Sequence, residues 1–324
     1  MNIEEALNQM PVIGANDQSQ VAQQPQQPAP VIQKQPNVQI GPRYLEALEK
    51  VQELAEINSI SIELPITGKK VLISPMTGTE EQRLRTGAVD PETFLTQVNK
   101  LLYNHIEYAD GSSLPSFEDF LNTLYPHDKT MMIWALLAAT YSTLPSMEKV
   151  CQKCKEPYEV IMHPDELMHL DSVPQIWQED KSPEEFSLKS TILKGNLTIE
   201  VGIPSEKKRL EIASAFSADQ MKNNIQESNN ILSFSDNLIY FIKRIVFKDT
   251  NGDIILQNPI NEIYPFMVNL PPKVKDAIRE NVSLEHFDKY LANFYHESRC
   301  PHCGNTEKVD IVPEIEFFRK ALSI

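Results

Sequence analysis

The chain is short of several features that would announce a chemistry. It has four cysteines among 324 residues, far below the density of a disulfide-built scaffold, and no secretory signal opens it. Glycine is scarce, at 10 residues, and there is no phosphate-cradling glycine loop, no Gly-x-Ser-x-Gly elbow and no His-Glu-x-x-His helix. Long apolar runs are missing too. The longest candidate, Met131 to Thr140, has the length of a core helix and falls well short of the roughly 18 residues a membrane span needs. Positive charge is in deficit, with 30 Lys and Arg against 45 Asp and Glu. The net charge of −15 opposes binding to a phosphate backbone, whose affinity rests on neutralisation by Lys and Arg. These absences point away from an enzyme with a small-molecule substrate, a membrane protein and a nucleic-acid binder. Reduced cysteines place its synthesis in a cytoplasm.

What is present is organised around the cysteines. All four fall in two stretches, Cys151-Gln-Lys-Cys154 and Cys300-Pro-His-Cys303. A two-residue gap lets a tight turn aim two thiolates at one metal ion, and two such turns make a closed tetrahedral zinc site. Their surroundings match. Val160 and Val309 each fall nine residues after the first cysteine of their stretch, and Pro164 and Pro313 thirteen after. The segments therefore read as halves of a pseudo-symmetric zinc ribbon, with one structural zinc on Cys151, Cys154, Cys300 and Cys303. Four thiolates leave no open position for a reacting water. Because 145 residues separate Cys154 from Cys300, the insertion should be a folded unit with adjacent ends, stapled at its roots by the metal. Rival readings are two unrelated thiol pairs, a thioredoxin-like redox pair and a disulfide framework. A redox pair sits where a strand meets a helix, whereas each knuckle here runs into a strand-like segment. His302 and His163 lie close enough to replace a sulfur ligand. With four thiols available they read as surface or outer neighbours.

With 41% hydrophobic and 23% charged residues, most of the chain should be globular. Residues 1–41 form a Gln/Pro-rich leader too poor in apolar residues to offset the entropy of ordering it. A hairpin plus helical domain covers 42–150. It opens with a helix from Pro42 to about Ile57, followed by a hairpin turned at Gly68. Thr79-Glu-Glu-Gln82 fits a capping box, and Asp90-Pro91 starts another helix. Further helices follow around Phe117 to Leu124 and from Pro126 through the apolar run to Tyr141. The first knuckle occupies 151–170. An inserted hairpin plus helical domain spans 171–299, with a hairpin around Lys194-Gly195-Asn196, a helix capped by Ser205, an amphipathic helix from Asn230 to Phe247, and a last helix from Leu284 to Tyr295. The second knuckle and a C-terminal helix occupy 300–324. Hairpin followed by capped helix occurs twice, which hints at a duplication that also produced the two knuckles. The fold class is α+β, mainly helical with β-hairpins, with a split four-cysteine zinc ribbon joining residues near 151 and 300. His105, His127 and Asp128 invite an acid–base reading, but nothing pairs them with a nucleophile. A helix-start and a core-edge histidine are the plainer accounts.

Several of these pieces carry a resemblance. They are Leu64-Pro-Ile-Thr-Gly-Lys69, the run Val71-Leu-Ile-Ser-Pro-Met-Thr77 before a Glu-rich helix start, the helices of 94–141, CQKC leading into a strand, and CPHCG followed by Phe317-Phe318. In this order the chain resembles the baseplate hub assembly family of T-even-like, contractile-tailed bacteriophages over about residues 60–324. The Gln/Pro leader and acidic residues 171–186 depart from that pattern. The resemblance implies a non-enzymatic component or assembly helper of the tail's central hub. Its partners would be other tail and hub proteins, and its place the virion baseplate, or the host cytoplasm during assembly. From a different class, a zinc-ribbon adaptor in transcription or nucleic-acid binding is the alternative, and a thiol oxidoreductase the third.

Overall fold

Gly68, at a φ of 65°, turns the chain back so that β1 (Ile60–Glu63) and β2 (Lys70–Ile73) pair antiparallel, with Ile60 opposite Ile73. The computed structural model describes residues 50, 59–87, 91–169, 187–222, 234–282, 285–313, 316, 317 and 320. The expected leader 1–41, the helix from Pro42 to Ile57, the acidic stretch 171–186 and Phe318 lie outside the described residues. After β2 come α1 (Gly78–Gly87) and α2 (Pro91–His105), which passes directly into β3 (Ile106–Tyr108) on the free side of β2. Then follow α3 (Phe117–Thr123) and α4 (Pro126–Thr140). A hairpin of β4 (Met147–Val150) and β5 (Pro157–Val160) carries the first knuckle at its tip.

The second half repeats this plan. β6 (Leu188–Ile192) and β7 (Leu197–Val201) form a hairpin in which Leu188 faces Val201 across the same 13 positions that separate Ile60 from Ile73. Next are α5 (Glu206–Lys222) and α6 (Phe234–Phe241), which again passes directly into a strand, β8 (Ile242–Phe247), paired with β7. A π turn at Pro259–Ile263 leads into α7 (Tyr264–Asn269), then α8 (Pro272–Asn281). Finally, β10 (Tyr295–Arg299) and β11 (Thr306–Asp310) carry the second knuckle. The correspondence extends to single bonds. Ser74 N–H donates to His105 O and Gly202 N–H to Phe241 O, both at 2.9 Å. Thr77 and Ser205 each accept from the amide three residues on, Glu80 and Lys208, at 3.4 Å. Leu84 and Ile212, seven residues after those caps, are both buried. Among the described strands β9 (Ile254–Leu256) has no counterpart in the first half: it extends the second sheet to four strands, β6-β7-β8-β9, whereas the first sheet is β1-β2-β3.

The cores interlock. α4 is the axis of the first, with Ile133, Ala135, Leu136 and Leu137 fully buried, yet that core also takes Phe294, Cys300, Ile311 and Phe317 from the second half. In return, Ile66 and Tyr125 pack into the second core. A buried polar cluster ties the halves: Lys129 pairs with Glu206 at 2.5 Å, Asn99 Nδ2 donates to Glu206 Oε1 at 3.1 Å, and Glu206 N–H donates to Leu124 O at 2.7 Å. Burial alone would raise the Glu206 carboxyl, but the Lys129 and Arg209 cations hold it down at about 2.

Three sequence expectations change. The capping box is Thr77 with Glu80, whose Oε2 accepts Thr77 N–H at 2.9 Å, two residues ahead of Thr79-Glu-Glu-Gln82. The helix expected over Asn230–Phe247 ends at Phe241, because Ile242–Phe247 finds an open strand partner in β7. The helix expected over Leu284–Tyr295 is a short 3-10 turn, Glu285–Tyr290, and Tyr295 begins β10. The architecture is α+β with antiparallel sheets, and helix does not clearly dominate.

Candidate metal centre

Each knuckle is the loop of a short hairpin. Val150 faces Pro157 and Arg299 faces Thr306, so the last paired positions bracket Cys151–Glu156 and Cys300–Asn305. The loops close with the same bonds. Cys151 N–H donates to Glu156 O (3.0 Å) and Lys155 N–H to Cys151 O (2.9 Å). In the second loop Cys300 N–H donates to Asn305 O (2.8 Å) and Gly304 N–H to Cys300 O (2.9 Å). The residue after the second cysteine lies at positive φ in both, Lys155 at 66° and Gly304 at 71°. Burial is matched as well: Cys151 and Cys300 are buried, Cys154 and Cys303 half-buried.

The hairpins face each other about a local two-fold relation. Tyr158 Oη meets Ser298 Oγ at 2.7 Å; at the equivalent positions Glu307 meets Lys149 Nζ at 3.2 Å. Glu307 also accepts from Gln152 N–H at 2.7 Å and from Asn305 Nδ2 at 2.9 Å. The Gln152 amide, despite burial, holds its carboxyl below the usual glutamate range. The arrangement brings all four sulfurs within 4.8 Å of one another. The closest approaches cross between the knuckles: Cys151 Sγ to Cys303 Sγ is 3.7 Å and Cys154 Sγ to Cys300 Sγ is 3.6 Å. A zinc tetrahedron with Zn–S bonds of about 2.3 Å has edges of about 3.8 Å, whereas a disulfide brings sulfurs to about 2.05 Å. The spacing fits ligands around a shared ion.

The electrostatics agree with the geometry. The backbone amides of Cys154 and Lys153 point at Cys151 Sγ and pull that thiol down to about 7. The Glu156 amide acts the same way on Cys154, but burial and the neighbouring thiols outweigh it and push Cys154 up to about 12. Four sulfurs this close cannot all ionise on their own, because each thiolate raises the cost of the next. A divalent cation removes that conflict, and a coordinated thiol is deprotonated outright. A zinc ion held by all four residues would supply a cross-link between the hairpins, with no open coordination position.

The sequence-predicted residues converge at this one place. His302 and His163 stand outside the cluster, His302 Nε2 lying 3.3 Å from Pro157 O and His163 Nδ1 2.8 Å from Ser142 O. Glu307, Lys149, Tyr158 and Ser298 carry no sign in the sequence of a role at this site; Tyr158 and Glu307 read only as members of the strands that follow the knuckles. Superposing the two knuckles residue by residue would have found them, since Tyr158 then falls on Glu307 and Lys149 on Ser298. The acid–base candidates lie apart. His105 Nε2 is 3.1 Å from Glu80 Oε1, with Ser74 Oγ 3.1 Å from Nδ1. His127 is buried edge-on against Tyr290, and burial lowers it to about 4. Among the described residues no helix is long and apolar enough to cross a membrane. A family model described as T4 bacteriophage base plate protein matches residues 57–319. No curated protein and no solved structure matches the chain.

Proposed function

The chain belongs to the T4 bacteriophage base plate protein family, and from that membership we propose that it is a non-enzymatic structural or assembly component of the tail baseplate hub, acting among other tail proteins. One zinc ion, on Cys151, Cys154, Cys300 and Cys303, joins its two hairpins. The observation that supports this reading best is the cluster itself: four sulfurs within 4.8 Å, drawn from stretches 145 residues apart, on hairpins of matched register. A metal there serves to hold the chain together, which suits a part of a rigid assembly. The domain plan follows the same logic: a leader at 1–41, a first unit at 42–150, knuckles at 151–170 and 300–324, and an inserted unit at 171–299. The site is the virion tail, or the host cytoplasm during assembly. The net charge of −15 favours basic protein partners over nucleic acid.

Affinity capture from infected cells tests the role. Tail and baseplate proteins should be recovered; host polymerase or nucleic acid in their place would point to the transcription-adaptor class. Elemental analysis of the purified chain should give one zinc per polypeptide. Cys303→Ser should lower that stoichiometry and loosen hydrogen-exchange protection at both knuckles. Unchanged protection around Cys151 would mean that the knuckles do not share an ion.

A further inference from the structure

β9 has the composition of an interior strand and the position of an edge. Ile254, Ile255 and Leu256 are three consecutive apolar residues, the pattern of a strand covered on both faces. Yet β9 ends its sheet, and among the described residues no strand pairs with its outer side. The cross-strand row Ile192, Leu197, Phe247, Ile254 shows how the cover runs out. Ile192 and Leu197 are buried, Phe247 is 40% exposed and Ile254 53%. On the opposite face Ile255, beside Val246, is 47% exposed. Natural edge strands are blunted by shortness, lysine, proline or a bulge; β9 is short, at three residues, but carries no lysine, proline or bulge.

The repeat supplies a second, independent observation. The first half builds its sheet from β1, β2 and β3 without a fourth strand, so the plan closes its core without β9. Ile254 and Ile255 lie outside the buried cluster, which only Leu256 touches. A strand that the repeated plan does without, apolar on both faces and with an outer edge that no described strand pairs, is suited to main-chain pairing with an added strand. Charge selects between occupants. Along residues 248–262, which contain β9, Asp249, Asp253 and Glu262 are exposed against a single cation, Lys248. Two copies of a chain carrying −15 repel each other, whereas a strand with cationic flanks is attracted.

We propose that β9 is a docking edge, on which an extended apolar segment of another tail protein, flanked by Lys or Arg, pairs with Ile254–Leu256 and continues the sheet. This rests on the baseplate role proposed above. The test places a photo-crosslinking benzophenone amino acid at position 255 of the full chain, expressed together with the other tail proteins, and sequences the crosslinked peptides in purified tails and assembly intermediates. The expected product is an extended, apolar segment with basic flanks from a different tail protein. Ile254→Lys should cut that product about tenfold or more while leaving the melting temperature in place, and Ile255→Thr, in a separate incorporation assay, should leave tail incorporation intact. Crosslinking to a second copy, to a helical or acidic segment, or to nothing in tails that contain the chain would overturn the docking edge and leave the baseplate role standing. Absence of the chain from tails and intermediates would instead overturn the role, and the docking edge with it.

Discussion

At the scale of single residues, the two knuckles provide an internal comparison. Lys155 and Gly304 hold the same left-handed turn, but only glycine does so without a Cβ penalty, which is about 1–2 kcal/mol for other residues. Lys155→Gly should therefore raise stability by about 1 kcal/mol in calorimetry of the metal-loaded protein. Gly304→Ala should lower it by a similar amount. Its added Cβ would meet only the Arg299 guanidinium, Nη2 at 3.7 Å and Nε at 3.9 Å, both ordinary contacts, so the loss would report backbone conformation alone. Asp128 makes a different prediction. Its buried carboxylate oxygens accept from Ile66 N–H at 2.7 Å and Thr67 N–H at 3.2 Å, tying the β1–β2 turn to α4, and burial pushes the group up to about 7. The folded chain then holds this proton more tightly than the unfolded chain. The contribution is fully present below about pH 4 and is lost as pH rises through 7. Asp128→Asn should flatten that fall, as read from urea melts at a series of pH values. Glu206 has the opposite sign. Its contribution is present above about pH 4.5 and is lost as pH falls toward 2, so the two groups separate in the same pH series.

At the scale of elements, caps and turns follow local chemistry, and some apolar runs do not. Thr77→Ala should cost about 1 kcal/mol by removing the α1 cap, and Thr79→Ala much less, which separates the observed capping box from the one expected at Thr79. Ser205→Ala tests the equivalent cap of α5. The segment from Leu238 to Val246 shows where local reading fails. Leu238, Ile239, Ile242, Ile245 and Val246 recur at helical spacing, yet the helix stops at Phe241. Ile242, Ile245 and Val246 are β-branched and accept either structure, so the partner decides: β7 offers a ladder from Leu197 to Val201, and Ile242 and Ile245 bury their side chains against that sheet. β3 arises the same way, at the end of α2. β4 and β10 were also unread, because four or five residues such as Met147–Val150 carry no period strong enough to register.

At the scale of the whole molecule, the halves are joined by their interlocked cores, by the facing hairpins that bring the four thiols together, and by the buried pair of Lys129 with Glu206 between α4 and α5. Removing one partner of a buried pair strands the other charge. Lys129→Ala should therefore lower stability by about 3–5 kcal/mol in denaturant melts. The double variant Lys129→Met with Glu206→Leu should recover most of that loss, since well-packed apolar replacements of a buried pair are often neutral.

By itself the sequence determined which four cysteines come together, the two hairpin turns and the helix starts at Pro126 and Ser205. Each of those depends on residues within a few positions of one another: a two-residue gap between thiols, a glycine at positive φ, a hydroxyl ahead of a helix. It even carried the echo of a repeat. Only the tertiary structure decided which apolar runs became strands, how the start of α5 came to sit against α4 through Glu206 and Lys129, and which residues face each other across the two hairpins. Those outcomes depend on hydrogen-bond and packing partners tens of positions away, as between β7 and β8, or more than a hundred, as between Tyr158 and Ser298, and no local period records them.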